Sequence, residues 1–198
     1  MRSTRWSIQC RSVAESSASA SVLRRQTTSL PTSARRSTTS AEVSAETLVL
    51  TWAELNEHVE ALALQIQALP ADQRPDAILA ISRGGLVPGA MLAYRLGIRD
   101  LLIAVAEHYD AAGRRPEPTI ARMPSDESLK GRSILIVDEV WESGRTLALV
   151  AERARAAGAT VRTAVVHHKP GKSEVPGAPD LFAALADGWI TYPYKGGE

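Results

Sequence analysis

The chain has 198 residues and a formal net charge of +1, but the charge is unevenly distributed. Residues 1–45 carry seven Arg and two Glu, which leaves a net charge of −4 on the rest. A mildly acidic folded part argues against a nucleic-acid-binding surface, and no apolar run is long enough to span a membrane. The single cysteine, Cys10, excludes a disulfide or a cysteine-based metal site within the chain.

Residues 1–45 contain 18 Ser or Thr and few apolar residues, which predicts a disordered N-terminal extension. The composition is typical of an organelle transit peptide, but a wrongly assigned start codon or a functional tail fits it as well. We expect a single folded domain over residues 46–198. The expected location is the cytoplasm, or an organelle if the extension is a transit peptide.

The first half of the domain alternates helical and strand patterns. Residues 48–67 have helical periodicity, with Thr51 as the expected N-cap and Glu54 completing a capping box. Residues 77–82 predict a buried strand, residues 86–97 a helix that ends at Gly97, and residues 100–109 a second strand.

The second half continues the alternation after a weakly structured polar stretch, residues 110–130. Residues 133–140 and 159–169 predict strands, with a helix between them that is closed by Gly158. Residues 172–198 are irregular, with one short helix or strand. Because strands alternate with helices, we expect an α/β fold with a mostly parallel sheet and functional residues beyond the carboxyl ends of its strands.

The most informative stretch is ILIVDEVWESGRT, residues 134–146. A buried strand is followed by two acids, Asp138 and Glu139, and by a third, Glu142. A turn rich in hydroxyl groups and glycine then opens a helix, and its residues are Ser143, Gly144, Arg145 and Thr146. Acids at the end of a strand can hold a ribose diol or a metal, and such a turn offers N–H and hydroxyl groups to a phosphate. A ribose 5-phosphate needs both at this spacing.

A second turn follows the first core strand and reads Ser82-Arg83-Gly84-Gly85. The two glycines let backbone amides approach a phosphate closely, and the arginine adds a positive charge. By itself this pattern is a weak signal and is more typical of a tight turn with a surface arginine.

Together the two turns resemble the signature loops of the type I phosphoribosyltransferases, which bind 5-phosphoribosyl 1-diphosphate (PRPP). The string AISRGGLVPGAMLAYRLGIRD is similar to the matching stretch of bacterial xanthine–guanine phosphoribosyltransferases, and the likeness extends over residues 49–194. The resemblance implies a twisted, mostly parallel sheet flanked by helices, with a small hood formed largely by the C-terminal segment.

The resemblance also assigns a base-binding end. Lys169, followed by Pro170, stands where 6-oxopurine members use a lysine to donate to O6 of the base. Trp189 stands where an aromatic side chain stacks on the purine, and the backbone of Ile190 would meet its N2 edge. His167 and His168 have no acidic or cysteine partner at ligand spacing, so we interpret them as strand-end residues.

The implied activity is purine salvage, in which PRPP and guanine, xanthine or hypoxanthine give a nucleoside monophosphate and diphosphate. Glu142 is the expected general base. Asp138 and Glu139 would hold the ribose hydroxyls and Mg²⁺. The implied diphosphate site is Ser82, Arg83 and Gly84, and the implied 5-phosphate site is the turn at residues 143–146. Residues 110–125, with Tyr109 before them, would close over the site.

Two alternatives remain open on the sequence. A PRPP-sensing regulator could use the same fold without transferase activity, although the acidic domain shows no DNA-binding pattern. The base could also be another one, because Tyr194-Lys195-Gly196 departs from the acidic ending that is common in relatives. The resemblance further implies a homo-oligomer, either a dimer or a tetramer.

Overall fold

A computed structural model describes residues 47–107 and 117–195. The predicted N-terminal extension, Tyr109 and residues 110–116 lie outside the described residues. None of the helices in the described ranges is long and apolar enough to cross a membrane.

Among the described residues, six strands form the main sheet. They are β2 (Ala77–Ser82), β3 (Asp100–Glu107), β4 (Thr119–Arg122), β5 (Ser133–Trp141), β6 (Thr160–His168) and β7 (Leu181–Leu185). The order across the sheet is β4-β3-β2-β5-β6-β7, and every neighbouring pair is parallel except β3 and β4.

The central strands β2 and β5 are apolar on both faces because helices cover both sides of the sheet. Ile78 and Leu135 point into one core, whereas Leu79 and Ile136 point into the other, and all four side chains are fully buried. The continuous apolar runs that predicted these strands therefore reflect burial on two sides.

The helices divide between these two cores. Helices α1 (Trp52–Gln67) and α2 (Leu86–Leu96) contribute to the first core, and α4 (Arg145–Ala156) contributes to the second. The Thr51–Glu54 capping box is present at the start of α1, and Gly97 ends α2 in the left-handed conformation at φ 69°. The α/β fold class, with a mostly parallel sheet flanked by helices, is confirmed.

A separate two-stranded parallel sheet joins the two ends of the described domain. Strand β1 (Leu48–Val49) pairs with β8 (Ile190–Thr191). The helical periodicity assigned to residues 48–67 fails at its start, where residues 48–49 form a strand, whereas the predicted N-cap Thr51 is confirmed. Local periodicity cannot show a pairing between segments so far apart in sequence.

Two other local predictions also need correction. Residues 119–122, expected to be weakly structured, form β4 along the edge of β3, and residues 126–129 form the short helix α3 (Asp126–Leu129) after the N-cap Ser125. The C-terminal stretch contains β7 and β8 rather than one short element. These elements are too short to produce a periodic signal.

The chain changes direction across the sheet between β2 and β5. The connection through α2 leads from β2 to β3 on one side, and that through α4 leads from β5 to β6 on the other. Such a switch point leaves a crevice beyond the carboxyl ends of the two strands, where open α/β sheets bind their ligands.

Two leucines of α1 provide a matched test of the core. Leu62 is fully buried, whereas Leu64, two residues later, is 58% exposed. We expect Leu62→Ala to lower the free energy of unfolding by about 2–5 kcal/mol, since it leaves a cavity. Leu64→Ala should change it by less than about 0.5 kcal/mol. Urea unfolding monitored by circular dichroism measures both, and equal losses would contradict this packing.

Candidate active site at the switch point

Two loops meet at the crevice: the glycine turn (residues 83–85) after β2 and the acidic loop (residues 138–145), which begins within β5. A Cβ atom on Gly85 would overlap the carbonyl oxygen of Val137, so the turn packs directly on the backbone of β5. Only glycine allows this approach. The parallel pairing of β2 with β5 therefore brings the two predicted ligand-binding loops together.

The glycine turn presents backbone groups to the crevice. The Ser82–Arg83 peptide bond is cis, and Arg83 is exposed. Helix α2 begins after Gly85, and no side chain caps its N-terminus. The first N–H groups of a helix lack partners within the helix, so this end favours an anion.

The acidic loop begins with two carboxylates in different surroundings. Asp138 Oδ1 accepts the backbone N–H of Glu139 at 2.8 Å, and no described cation forms an ion pair with Asp138. Burial, with the nearby charge of Glu139, raises the pKa of Asp138 to about 7. Glu139 is also buried, but its carboxylate contacts the hydroxyl of Tyr194 and the ammonium of Lys195.

The loop then forms a concave turn at the start of α4. Gly144 has φ 78°, a left-handed conformation that favours glycine, and the Arg145 N–H contacts the hydroxyl of Ser143 at 3.4 Å. A cavity of about 190 Å³ is lined by Asp138, Trp141, Glu142, Ser143, Gly144 and Thr146, among others. Its position at a helix N-terminus suits a phosphate group.

The side chain of Trp141 packs against the turn at residues 143–146. A Cβ atom on Gly144 would overlap the Trp141 ring, so the indole lies directly against the glycine. The indole N–H donates to Ser173 Oγ at 3.2 Å. Trp141 therefore packs between the small cavity and the loop that follows β6.

The guanidinium of Arg145 is held outside the turn by two carboxylates. It contacts Glu117 at 2.6 Å and Glu174 at 2.8 Å. Of the four turn residues predicted to bind phosphate, Arg145 can contribute its backbone N–H in this arrangement, with its side chain fixing the turn.

A larger cavity of about 650 Å³ adjoins the acidic loop. Its lining includes all three predicted base-binding residues, Lys169, Trp189 and Ile190, together with Glu139 and Glu142. Lys169, directly after β6, is buried, whereas Trp189 is 65% exposed. The cavity combines an aromatic face, a buried cation and carboxylates.

Glu142 accepts hydrogen bonds from two lysines in this cavity. Its oxygens lie 3.2 Å from Lys169 Nζ and 3.1 Å from Lys172 Nζ. Partial burial opposes ionisation, but the two lysine hydrogen bonds outweigh it and lower the pKa of Glu142. The carboxylate is therefore ionised at neutral pH.

The two histidines lie at the end of β6, as predicted. His167 is buried, and its Nδ1 is 2.9 Å from the hydroxyl of Tyr192. Burial lowers the pKa of His167 to about 4, so it is neutral at physiological pH. Among the described residues, no group of three or more His, Cys, Asp or Glu is arranged to hold a metal ion.

Sequence reasoning missed four contributors to this site: Lys172, Tyr192, Tyr194 and Lys195. All except Tyr194 line the larger cavity, and Tyr194 bonds to Glu139 within it. The segment YPYK follows Trp189 closely and is rich in polar aromatic residues, which was the available signal. The predicted roles of the other site residues stay predictions, although the structure brings them to one crevice.

Comparison with known proteins agrees with this geometry. A family model described as the phosphoribosyl transferase domain matches residues 49–191. The match covers most of the chain, and the chain belongs to this family.

Solved structures share the fold. A purine phosphoribosyltransferase from Pyrococcus horikoshii is 28% identical, with a TM-score of 0.66 over 77% of this chain and 96% of that protein. A hypothetical protein from Neisseria gonorrhoeae, solved with bound ppGpp, is 27% identical, with a TM-score of 0.66 over 77% of this chain and 90% of its own. The xanthine-guanine-hypoxanthine phosphoribosyltransferase of Helicobacter pylori, at 21% identity and a TM-score of 0.64 over 75% of this chain and 94% of its own, shares the fold.

The raised pKa of Asp138 predicts that Asp138→Asn increases thermal stability by an amount that depends on pH. Between pH 4 and 7 the folded protein retains a proton on Asp138 that the unfolded chain releases, so this group's contribution to stability falls as the pH rises. Each pKa unit is worth about 1.4 kcal/mol. The variant should melt several degrees above the wild type at pH 8, and the gap should close towards pH 4.

Thermal unfolding at a series of pH values measures this gap. Asp72→Asn is the matched control, because Asp72 lies on an exposed turn and should give no pH-dependent difference. A difference in melting temperature that stays constant across the pH range would contradict the raised pKa of Asp138.

Proposed function

We propose that this member of the phosphoribosyl transferase family is a purine salvage enzyme. It would transfer the 5-phosphoribosyl group from PRPP to guanine, xanthine or hypoxanthine and release diphosphate. The observation that carries the proposal is the cavity in which Lys169 and Trp189 lie beside the acidic loop. The purine phosphoribosyltransferase of P. horikoshii supports it, since this chain spans 96% of that protein.

PRPP fits the two loops through its two phosphate-bearing ends. The 5-phosphate would occupy the small cavity and accept hydrogen bonds from the backbone and hydroxyl groups of residues 143–146. The diphosphate would lie on Ser82, Arg83 and Gly84, where Arg83 supplies positive charge. The ppGpp in the N. gonorrhoeae relative, a purine nucleotide that carries diphosphates, is consistent with such a site.

Asp138 is the acid that we assign to the ribose and to Mg²⁺. It lines the small cavity, and no described cation forms an ion pair with it. Burial and the nearby charge of Glu139 raise its pKa. Glu139, which the sequence resemblance also assigns to the ribose and Mg²⁺, is instead bonded to Tyr194 and Lys195. One carboxylate is too few to enclose Mg²⁺, which commonly completes its shell with substrate phosphates and water. When bound, Mg²⁺ would neutralise the leaving diphosphate. Asp138 would then stabilise positive charge that develops on the ribosyl ring as diphosphate departs.

The base would lie in the larger cavity against Trp189. Lys169 would donate to the O6 atom, and the backbone of Ile190 would meet the N2 edge. Glu142 is ionised, so it can accept the N7 proton as the base attacks the ribose. Because two lysines lower its pKa, Glu142 is a weak base, and it takes the N7 proton as attack on the ribose makes the purine more acidic.

The direct test is turnover. Purified protein with PRPP, Mg²⁺ and each base in turn should form at least one of GMP, XMP and IMP, and none when EDTA is present. Adenine serves as the control base, because it carries an amino group, a hydrogen-bond donor, at the position where Lys169 would donate to O6. Binding of PRPP without turnover of any base would instead favour the regulatory protein that shares this fold.

Replacement of Trp189 tests the base platform. Stacking on an aromatic side chain is worth about 1–3 kcal/mol per base, so Trp189→Ala should raise the KM for each purine roughly 5- to 150-fold. Trp189→Phe retains an aromatic face and should recover most of the loss. The Kd for PRPP, measured by calorimetry without base, should change little in either variant. An unchanged purine KM in Trp189→Ala would remove the platform role.

A further inference from the structure

The carboxylate of Glu139 is occupied at both oxygens. Lys195 Nζ donates to Oε1 at 2.6 Å, and the hydroxyl of Tyr194 donates to Oε2 at 2.7 Å. The Glu139 side chain is only 10% exposed. Charge-assisted hydrogen bonds of this length are among the stronger polar contacts in proteins. Glu139 therefore differs from its neighbour Asp138, which no described cation contacts.

Both of these side-chain hydrogen bonds of Glu139 come from one stretch, the C-terminal segment (residues 189–195). The hydroxyl of Tyr192 donates to the backbone oxygen of Glu139 at 2.8 Å, which adds a third contact. The rings of Tyr192 and Tyr194 stack with their centroids 5.5 Å apart, and Lys195 Nζ lies 5.6 Å from the centroid of Tyr192. Three residues of the segment thus converge on one acid as a packed unit.

The other side of Glu139 faces the glycine turn. A Cβ atom on Gly84 would lie 2.5 Å from the Glu139 carboxyl carbon, so the carboxylate fills the space that a side chain would take. The hydroxyl of Tyr194 is also 3.1 Å from the carbonyl oxygen of Gly84. Glu139 is therefore enclosed between the glycine turn and the C-terminal segment.

The same segment carries the base platform. Trp189 and Ile190 begin it, and its backbone is otherwise held by the two-residue pairing with β1, including the Leu48 N–H to the Trp189 oxygen at 2.8 Å. A pairing this short fixes a strand weakly. Tyr192 is also buried in the first core, where its hydroxyl lies 2.9 Å from His167 Nδ1. Beyond it, the side chains of Tyr194 and Lys195 are tied to the acidic loop through Glu139.

We propose that Glu139 is a positioning residue that fixes the C-terminal segment, and with it Trp189 and Ile190, against the glycine turn. It would act on the base through Tyr194 and Lys195, while Asp138 faces the ribose. This inference rests on the proposed function, because the platform is a base site only in a purine transferase. The proposal also makes Lys195 a determinant of purine binding, although Lys195 bonds to Glu139 and not to the purine.

The test compares Glu139→Gln, Lys195→Met and the double variant. Each single change removes the ion pair, which is comparable to losing one charged hydrogen bond, so the purine KM should rise about 5- to 30-fold in each. Because the two residues act as a pair, the double variant should be no worse than either single variant. The Kd for PRPP should stay within about 3-fold of wild type, well inside the effect expected from one lost charged hydrogen bond.

Two results would overturn the proposal. One is a Glu139→Gln variant that loses PRPP binding while Lys195→Met leaves the purine KM unchanged, since that pattern belongs to a direct ligand. The other is fully additive effects in the double variant, which would show that the two side chains act separately. Glu60→Gln, which removes the ion pair between Glu60 of α1 and Arg95 of α2, is the control and should alter neither constant.

Hydrogen exchange separates this inference from the proposed function. Amide exchange over residues 189–195 should accelerate in Glu139→Gln and Lys195→Met but not in Glu60→Gln, whatever reaction the protein catalyses. If the wild type turned over no purine, the proposed function would fail, and exchange would still decide whether Glu139 anchors the segment. Unchanged exchange in both variants would overturn the anchor.

Discussion

The pairing of β2 with β5 is the constraint on which the rest of this molecule depends. The two strands lie side by side and parallel, and their crossovers leave in opposite directions, so both following loops open at one edge of the sheet. Gly85 tightens this arrangement by placing its backbone against the oxygen of Val137. Because both strands are buried on two faces, the loops stand on the most rigid part of the domain.

Charge is distributed among the three acids of the acidic loop so that each has a different environment. Glu139 is bonded to Lys195, and Glu142 to Lys169 and Lys172, whereas no described cation pairs with Asp138. A partly buried carboxylate with a raised pKa and no ion-pair partner lowers stability, which is a common feature of sites prepared for a ligand. The unequal pairing thus indicates which acid is available to a cationic or hydroxyl-bearing partner.

Local features of the sequence predicted most of the fold and the location of the site. The capping box at Thr51, the stop at Gly97 and the apolar runs of β2 and β5 each depend on neighbours in sequence, so their patterns are visible in it. The pairing of β1 with β8 and the contacts of Glu139 with Tyr194 and Lys195 join residues more than 50 positions apart. Such contacts follow from tertiary packing and leave no periodic signal.

The loop that follows β6 and the C-terminal segment (residues 189–195) are both hydrogen-bonded to the acidic loop. The loop after β6 is tied to it by the Glu174 N–H to the Ser143 oxygen at 2.9 Å and by the Lys169 N–H to the Trp141 oxygen at 2.9 Å. The C-terminal segment is tied to it through Glu139. An enzyme that joins two substrates gains rate by holding the reacting atoms in one geometry, and an ångström of misplacement can cost about 10²-fold. Under the proposed function, a single loop that carries the turn for the 5-phosphate and anchors both walls of the larger cavity would set that geometry from one buried strand.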